Sequence, residues 1–381
     1  MRITQLLPLW FLLFTIGFGW FLLAPLVPAL SSIFNISIGA VIFMISEYGL
    51  TMVILGILAG WLSARLTIRR VLITSAALSM IGLMGRAFAG NYSSFLLLQT
   101  VAAAAYPLSL APIGAVAQAV YSERSHTIVG ASVGILFLGM AMGSLLGPHM
   151  FLAWGLRGSL YVSGALSIIA LAWMIMGSRN YPAKYSRSLR GVFQVGMLKN
   201  WYIGFTVASL SVMFSSIAST MLAHNGLPIS DALTYGGEFG GLTFLGSALG
   251  AIILPTLFEY INKVRLGLVL TSLLSLASAA LLSYYLAYTA QVLLLSILFF
   301  IFGFVGNAFW SMALASVTSY VKDPARAGLA TSMYSVATNL GVTFIPSLLG
   351  SMFPTHQFIS ITIVSTMMLL ALVASIFLKT S

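Results

Sequence analysis

Gly60-Trp61-Leu62-Ser63-Ala64-Arg65-Leu66-Thr67-Ile68-Arg69-Arg70 is a basic turn that joins two apolar runs, roughly 39–64 and 70–90. A helix needs about 20 apolar residues to cross the hydrocarbon core of a bilayer, and each run is that long. Extended strands facing lipid would leave backbone amides unpaired, so helices are the economical reading. Three arginines in the connecting turn hold it on the cytoplasmic side. The stretch therefore reads as a membrane-spanning helical hairpin.

The same pattern continues in both directions. Twelve apolar runs follow one another, roughly 6–30, 39–64, 70–90, 94–120, 127–152, 158–178, 199–223, 236–258, 265–286, 290–320, 327–351 and 356–378. The first begins after Met1-Arg2-Ile3-Thr4-Gln5 and runs to Leu30, about twice the length of a signal-peptide core, and it reads as a span. With a cytoplasmic N-terminus, 15 of the 17 basic residues fall on the inner side and only Arg86 and Arg157 on the outer. This bias sets the orientation: a multi-pass protein of the cell membrane, both termini cytoplasmic, with an even number of spans.

Composition agrees. The chain is 60% hydrophobic and 6% charged, with mean hydropathy +1.05, whereas soluble domains carry roughly 25% charged residues. The net charge of +11 is a topology signal, and no nucleic-acid partner is expected. The absence of cysteine excludes disulfides and thiolate sites. The longest polar stretch centres on 179–198 and divides the chain into a bundle over 1–178, a cytoplasmic linker, and a bundle over 199–381.

The halves share a pattern. Phe14-Thr15 matches Phe205-Thr206, with Trp10 and Trp201 upstream; Gly130-Ala131-Ser132 matches Gly328-Leu329-Ala330; Pro148 matches Pro346. Parallel six-span repeats are one transporter architecture. The expected fold is thus all-α, with twelve transmembrane helices in two pseudo-symmetric six-helix bundles.

The Gly60–Arg70 turn resembles the loop signature of the major facilitator superfamily, departing from it at Ala64, where the family has aspartate, and at Thr67, where it has glycine. The second half keeps Glu259 at the matching place, followed by Lys263 and Arg265. The resemblance implies a cytoplasmic gate motif at Gly60, Arg65, Arg69, Arg70, Glu259 and Arg265. Span 5 carries Gly139, Gly143, Gly147 and Pro148, which resembles the family's glycine-proline signature. Glycines four apart share a helix face and permit close helix approach. Ser122-Glu123-Arg124 before span 5 and Trp154-Gly155-Leu156-Arg157 after it are also similar to the family. Tyr106-Pro107-Leu108-Ser109-Leu110-Ala111-Pro112, with Glu123-Arg124 and Phe137-Leu138-Gly139, faintly resembles the feline leukaemia virus subgroup C receptor-type choline and haem transporters. The superfamily resemblance further implies a cavity lined by spans 1, 4, 7 and 10. On those spans the candidates are Trp20, Tyr106, Ser211, Ser215, Asn307 and Trp310, with Tyr334 and Asn339 of span 11 beside them.

Charged groups within spans are costly, at roughly 2.5–3.5 kcal/mol each, and mark function. Glu47 lies roughly 12 Å below the outer surface, at about 1.5 Å rise per residue. Glu238 occupies a similar face of the repeat-related span 8. Two readings stand for Glu47: a proton-coupling or cation-binding carboxylate with Glu238 in the outer vestibule, or an ion pair with Arg86 of span 3. Aromatic faces with amides and hydroxyls suit an amphipathic or cationic organic solute.

The chain contains no nucleophile elbow, metal-ligand pair or phosphate loop, so neither enzyme activity nor a cofactor or metal is expected. The expected function is secondary active transport of a small organic solute by alternating access, with protons as a candidate coupling ion and a monomer as the working unit. A receptor that binds without transporting, and a facilitative uniporter, are the alternatives.

Overall fold

The structure, a computed structural model, describes residues 3–120, 125–178, 194–320 and 324–379. Most of the linker, the Ser122-Glu123-Arg124 loop, Lys322 and the side chains of Arg65 and Arg326 lie outside the described residues.

The described chain is helical: α1 (Leu7–Phe21), α2 (Val27–Phe34), α3 (Ile38–Arg65), α4 (Ile68–Gly85), α5 (Tyr92–Leu110), α6 (Ile113–Val120), α7 (Ser125–Gly177), α8 (Leu198–His224), α9 (Ile229–Tyr260), α10 (Val264–Tyr288), α11 (Val292–Val317), α12 (Pro324–Met352) and α13 (Gln357–Ile376). Among the described residues, ten helical stretches are long and apolar enough to cross a membrane. One of them, Ile128–Gly177, contains two spans, because Gly155 takes φ 67° and breaks the helix. Positive φ costs a residue with a Cβ but not glycine, and Ser159 Oγ donates to the Gly155 carbonyl at 3.0 Å across the break. Adding α12 completes the twelve-helix architecture.

Local sequence accounts for the helix boundaries. Asn91 caps α5, accepting from the Ser94 amide at 2.9 Å while the Ser94 hydroxyl accepts from the Asn91 amide, a reciprocal capping box. Thr67 caps α4 by accepting from the Arg70 amide. Pro25 lies in a 3-10 turn, Ala24–Leu26, that separates α1 from α2. Pro112 lies between α5 and α6.

The surface is that of a protein dissolved in lipid. Large apolar side chains such as Ile54, Leu97, Met176 and Leu293 are exposed, while Ser75, Gln99, Asn200 and Thr243 are fully buried. Helices apolar on all sides belong in a membrane. Buried hydroxyls mostly bond to carbonyls of their own helix, as Ser132 does to Ile128 and Ser247 to Thr243.

Two compact units result. The first comprises Met1–Leu23 and Glu47–Ser188, the second Ala24–Ser46 and Leu189–Ser381. The tip formed by α2 and the start of α3 thus packs with the second unit. A Cβ at Gly39 would lie 3.3 Å from the Ser351 Cβ.

In the first unit α1 lies against α7 at backbone contact. A Cβ added at Gly139, Gly143 or Gly147 would strike the carbonyl of Phe14, Phe18 or Leu22, respectively, and one at Gly17 would strike that of Leu136. The second unit repeats the device where Gly341 of α12 meets the Phe205 carbonyl of α8. The four-residue spacing marks Gly139, Gly143 and Gly147 for close approach, whereas Gly17 and Gly341 carry no such spacing signal.

Candidate functional site

Proline shapes α5 beside the candidate site. Pro107 has no amide hydrogen, so the carbonyl four residues earlier, at Ala103, loses its helical donor. Thr51 of α3 supplies one, its Oγ1 donating to Ala103 O at 2.9 Å. This restores the bonding that a proline within a membrane helix removes and ties α3 to α5. Ser75 of α4 likewise donates to Ala105 O at 2.7 Å.

Glu47 stands one turn before Thr51 on α3 and is 4% exposed. Thr100 Oγ1 of α5 donates to Glu47 Oε1 at 2.8 Å. The same hydroxyl lies 2.9 Å from the Leu96 carbonyl. Glu47 Oε2 is buried with no hydrogen-bond partner. Tyr48, the next residue, is fully buried and its hydroxyl also has no partner. Its ring lies parallel to Trp20 of α1, with centroids 4.6 Å apart at 6°. Tyr106 of α5 packs edge-on against both, 5.3 Å from Trp20 and 6.3 Å from Tyr48. A carboxylate and a three-ring aromatic cluster therefore meet where α1, α3 and α5 converge.

Arg86 follows α4 in a short 3-10 turn, Arg86–Phe88, and is 1% exposed. It does not pair with Glu47. Its Nη1 donates to the Gly19 carbonyl at 3.1 Å and to Gln99 Oε1, and its Nη2 donates to Ser163 Oγ at 3.4 Å. The Phe95 ring centroid lies 5.9 Å from the guanidinium carbon. The pairing reading of Glu47 thus gives way to two separate networks, because adjacent residues of α5, Gln99 and Thr100, take one charged group each.

The second unit is arranged differently. Asn307 of α11 donates to Ser247 Oγ of α9. Trp310 Nε1 donates to Thr338 Oγ1 of α12 at 3.3 Å, and the Tyr334 hydroxyl donates to the Trp310 carbonyl at 3.0 Å. Asn339 donates to Ser335 O, and Ser211 and Ser215 donate to Val207 O and Ser211 O. Each of these polar groups has a protein partner. Glu238 on α9 is half-buried, and no described cation pairs with it.

The basic motif residues cap helix ends. Arg69 Nε and Nη2 donate to the carbonyls of Ser178 and Ile175, at 3.0 and 2.8 Å, at the C-terminus of α7. In the second unit Arg265 reaches the Ile376 carbonyl at 3.4 Å, and Lys199 the Phe377 carbonyl at 2.8 Å, at the C-terminus of α13. Cations there complement the helix dipole, and the two units use corresponding positions to do so. Arg70 and Glu259 are exposed, and a Cβ at Gly60 would meet open space.

Sequence reading named Glu47, Trp20, Tyr106 and Arg86 but not Tyr48, Gln99, Thr100 or Thr51. Gln99-Thr100 was the available signal, a polar pair inside an otherwise apolar run.

The chain is thus built of membrane-crossing helices, with helix-capping cations in each unit and a buried carboxylate beside stacked aromatic rings in the first. Comparison with known proteins places it further. The Major Facilitator Superfamily model matches residues 9–346, and the chain belongs to that family. No curated protein matches it in sequence. Among solved structures it is similar to the D323A mutant of the nucleoside transporter NupG, at TM-score 0.77 and 17% identity over 98% of this chain and 99% of that one. It is also similar to a D-xylose-proton symporter, at TM-score 0.76 and 16% identity over 98% and 96%. A third likeness is a bacterial homolog of the human lysosomal transporter Spinster in an inward-facing, occupied conformation, at TM-score 0.68 and 14% identity over 98% and 95%.

Proposed function

We propose that the chain is a secondary active transporter that moves a small, uncharged organic solute by alternating access, with Glu47 carrying the coupling proton. The observation that carries this reading is the state of the Glu47 carboxyl: buried, bonded to one neutral hydroxyl through Oε1 and left without a partner on Oε2. A buried carboxylate with no cation on it is expensive to keep charged, and a proton on the free oxygen removes that charge. Thr100 suits both states. Against the carboxylate it donates to Oε1, and with the proton on Oε2 it still donates to Oε1, then the carbonyl oxygen of the acid. The other titratable or charged groups nearby are Tyr48 on the same helix, Tyr92 at the start of α5, which feels the Glu47 charge, and Arg86.

The solute class rests on the candidate residues of each unit taken by itself. The first unit offers the ring faces of Trp20 and Tyr106, the second the Trp310 ring and the Asn307 and Asn339 amides, and none of these candidates is a lysine or arginine, which disfavours a phosphate or dicarboxylate. Nucleosides and pentoses, the solutes named for two of the structural neighbours, fit that description.

Reconstitution into liposomes tests the proposal, with uridine, D-xylose and choline as labelled solutes. An imposed acid-outside gradient should drive accumulation of uridine or D-xylose. Glu47→Gln should abolish that accumulation and preserve counterflow exchange. Gradient-driven accumulation that persists in Glu47→Gln would remove Glu47 from coupling. Choline taken up in preference to the neutral solutes would reverse the solute class.

A further inference from the structure

Arg86 is a fully buried cation with no carboxylate on it, so something other than charge neutralisation accounts for its place. Its contacts fall on either side of the Glu47 site. Gly19 immediately precedes Trp20, and the Gly19 carbonyl lies just beyond the last helical bond of α1, Leu22 N–H to Phe18 O. Gln99 immediately precedes Thr100. Nη1 of Arg86 donates to both. Trp20 stacks on Tyr48, and Thr100 bonds to Glu47. A single guanidinium thus fixes the end of α1 and the middle of α5, and those two segments hold the adjacent residues Glu47 and Tyr48 of α3. Ser163 of α7 accepts from Nη2 at 3.4 Å, which anchors the clamp to a third helix.

We infer that Arg86 is a positioning residue for the Glu47 site, setting the Trp20–Tyr48 stack from one side and the Thr100–Glu47 hydrogen bond from the other without touching the carboxylate. A planar guanidinium presents five donors in a fixed fork, which is the geometry needed to hold acceptors on separate helices. The inference rests on the proposed role of Glu47 for its functional meaning, but the placement of Trp20 follows from Arg86 independently of any proton.

The test uses the purified full chain in lipid nanodiscs at acid pH, comparing wild type, Arg86→Met and Arg86→Lys. Infrared difference spectra report the protonated Glu47 carboxyl, assigned as the carbonyl band that Glu47→Gln removes. Trp20 emission is isolated by subtracting the matching Trp20→Phe protein, and its accessibility is read by acrylamide quenching. Arg86→Met should move the Glu47 band to higher frequency as the Thr100 bond is lost, and should remove the protection of Trp20. Arg86→Lys, which keeps the charge but loses the planar fork, should fall between wild type and Arg86→Met in both signals. Wild-type signals in Arg86→Met overturn the inference. Should Arg86→Met fail to fold, Gln99→Met cuts only the α5 arm; it should shift the Glu47 band and leave Trp20 protected, and an unshifted band overturns the inference. A wild-type spectrum with no band that Glu47→Gln removes counts against the proton on Glu47, and Trp20 quenching then decides the role of Arg86 alone.

Discussion

Glu47 keeps company with hydroxyls and rings rather than with a cation, and the chemistry assigned to it follows from that choice of neighbours. Thr100 is the neighbour that touches it. Thr100→Val should preserve the fold, since valine has nearly the same shape, and should impair gradient-driven uptake much more than counterflow exchange. Equal impairment of both would place Thr100 in general packing. Thr51 has a structural task next door. Thr51→Val leaves the Ala103 carbonyl without a donor beside Pro107, and thermal unfolding should report a loss of about 1 kcal/mol, within the range found for polar contacts between membrane helices. No loss would mean that another group serves that carbonyl. These two threonines illustrate what a linear reading misses. Glu47 stands out because a charge in an apolar run is costly wherever it points. A threonine in such a run is cheap and common, because its hydroxyl can satisfy itself on its own helix. Only the approach of α5 to α3 reveals that Thr51 and Thr100 also reach across, each beside a carbonyl of its own helix.

The helices that carry these residues are placed by their glycines and prolines. The spacing of Gly139, Gly143 and Gly147 shows in the chain because four-residue periodicity is a property of one helix. Its partner, the carbonyl row of Phe14, Phe18 and Leu22, does not, because backbone atoms leave no mark in a sequence. Gly143→Val drives a side chain into a carbonyl that cannot move without bending α1. It should cost about 1–3 kcal/mol, the usual penalty of overpacking, and should reduce uptake through Trp20, two residues beyond Phe18. Gly130→Ala is the control: a Cβ there meets open space, and helix propensity alone should stabilise α7 by up to about 1 kcal/mol. Thermal unfolding of both variants checks the pair, and a tolerated Gly143→Val would contradict the close approach. The separation of Arg86 from Glu47 also belongs here. Their similar depth in adjacent spans suggests a pair, but Arg86, in the turn after α4, donates to Gln99, and depth alone does not decide which neighbour a side chain meets.

Across the whole chain, the twelve spans could be read from apolar run lengths, a consequence of bilayer physics, and the one-sided distribution of arginine and lysine supplies the expected orientation. The grouping of Ala24–Ser46 with the second unit could not, because it depends on the tertiary contacts of a short tip. A chain without cysteine allows that grouping to be tested directly. Gly39→Cys with Ser351→Cys should form a disulfide on mild oxidation, because the Gly39 Cβ position lies 3.3 Å from the Ser351 Cβ, close to the usual disulfide spacing of about 3.8 Å. Bridge formation, read as a mobility shift that reduction reverses, is the expected result, and failure to cross-link on mild oxidation would contradict the grouping.

Proton movement itself is the most direct reading of the transport mechanism. Liposomes containing the purified protein, in weakly buffered medium without an imposed gradient, are given the solute they accumulate while external pH is recorded. Wild-type protein should alkalinise the medium as solute and proton enter together, and Glu47→Gln should give counterflow exchange with no pH change. Solute entry without alkalinisation in the wild type, or alkalinisation that survives Glu47→Gln, would contradict Glu47 as the proton carrier.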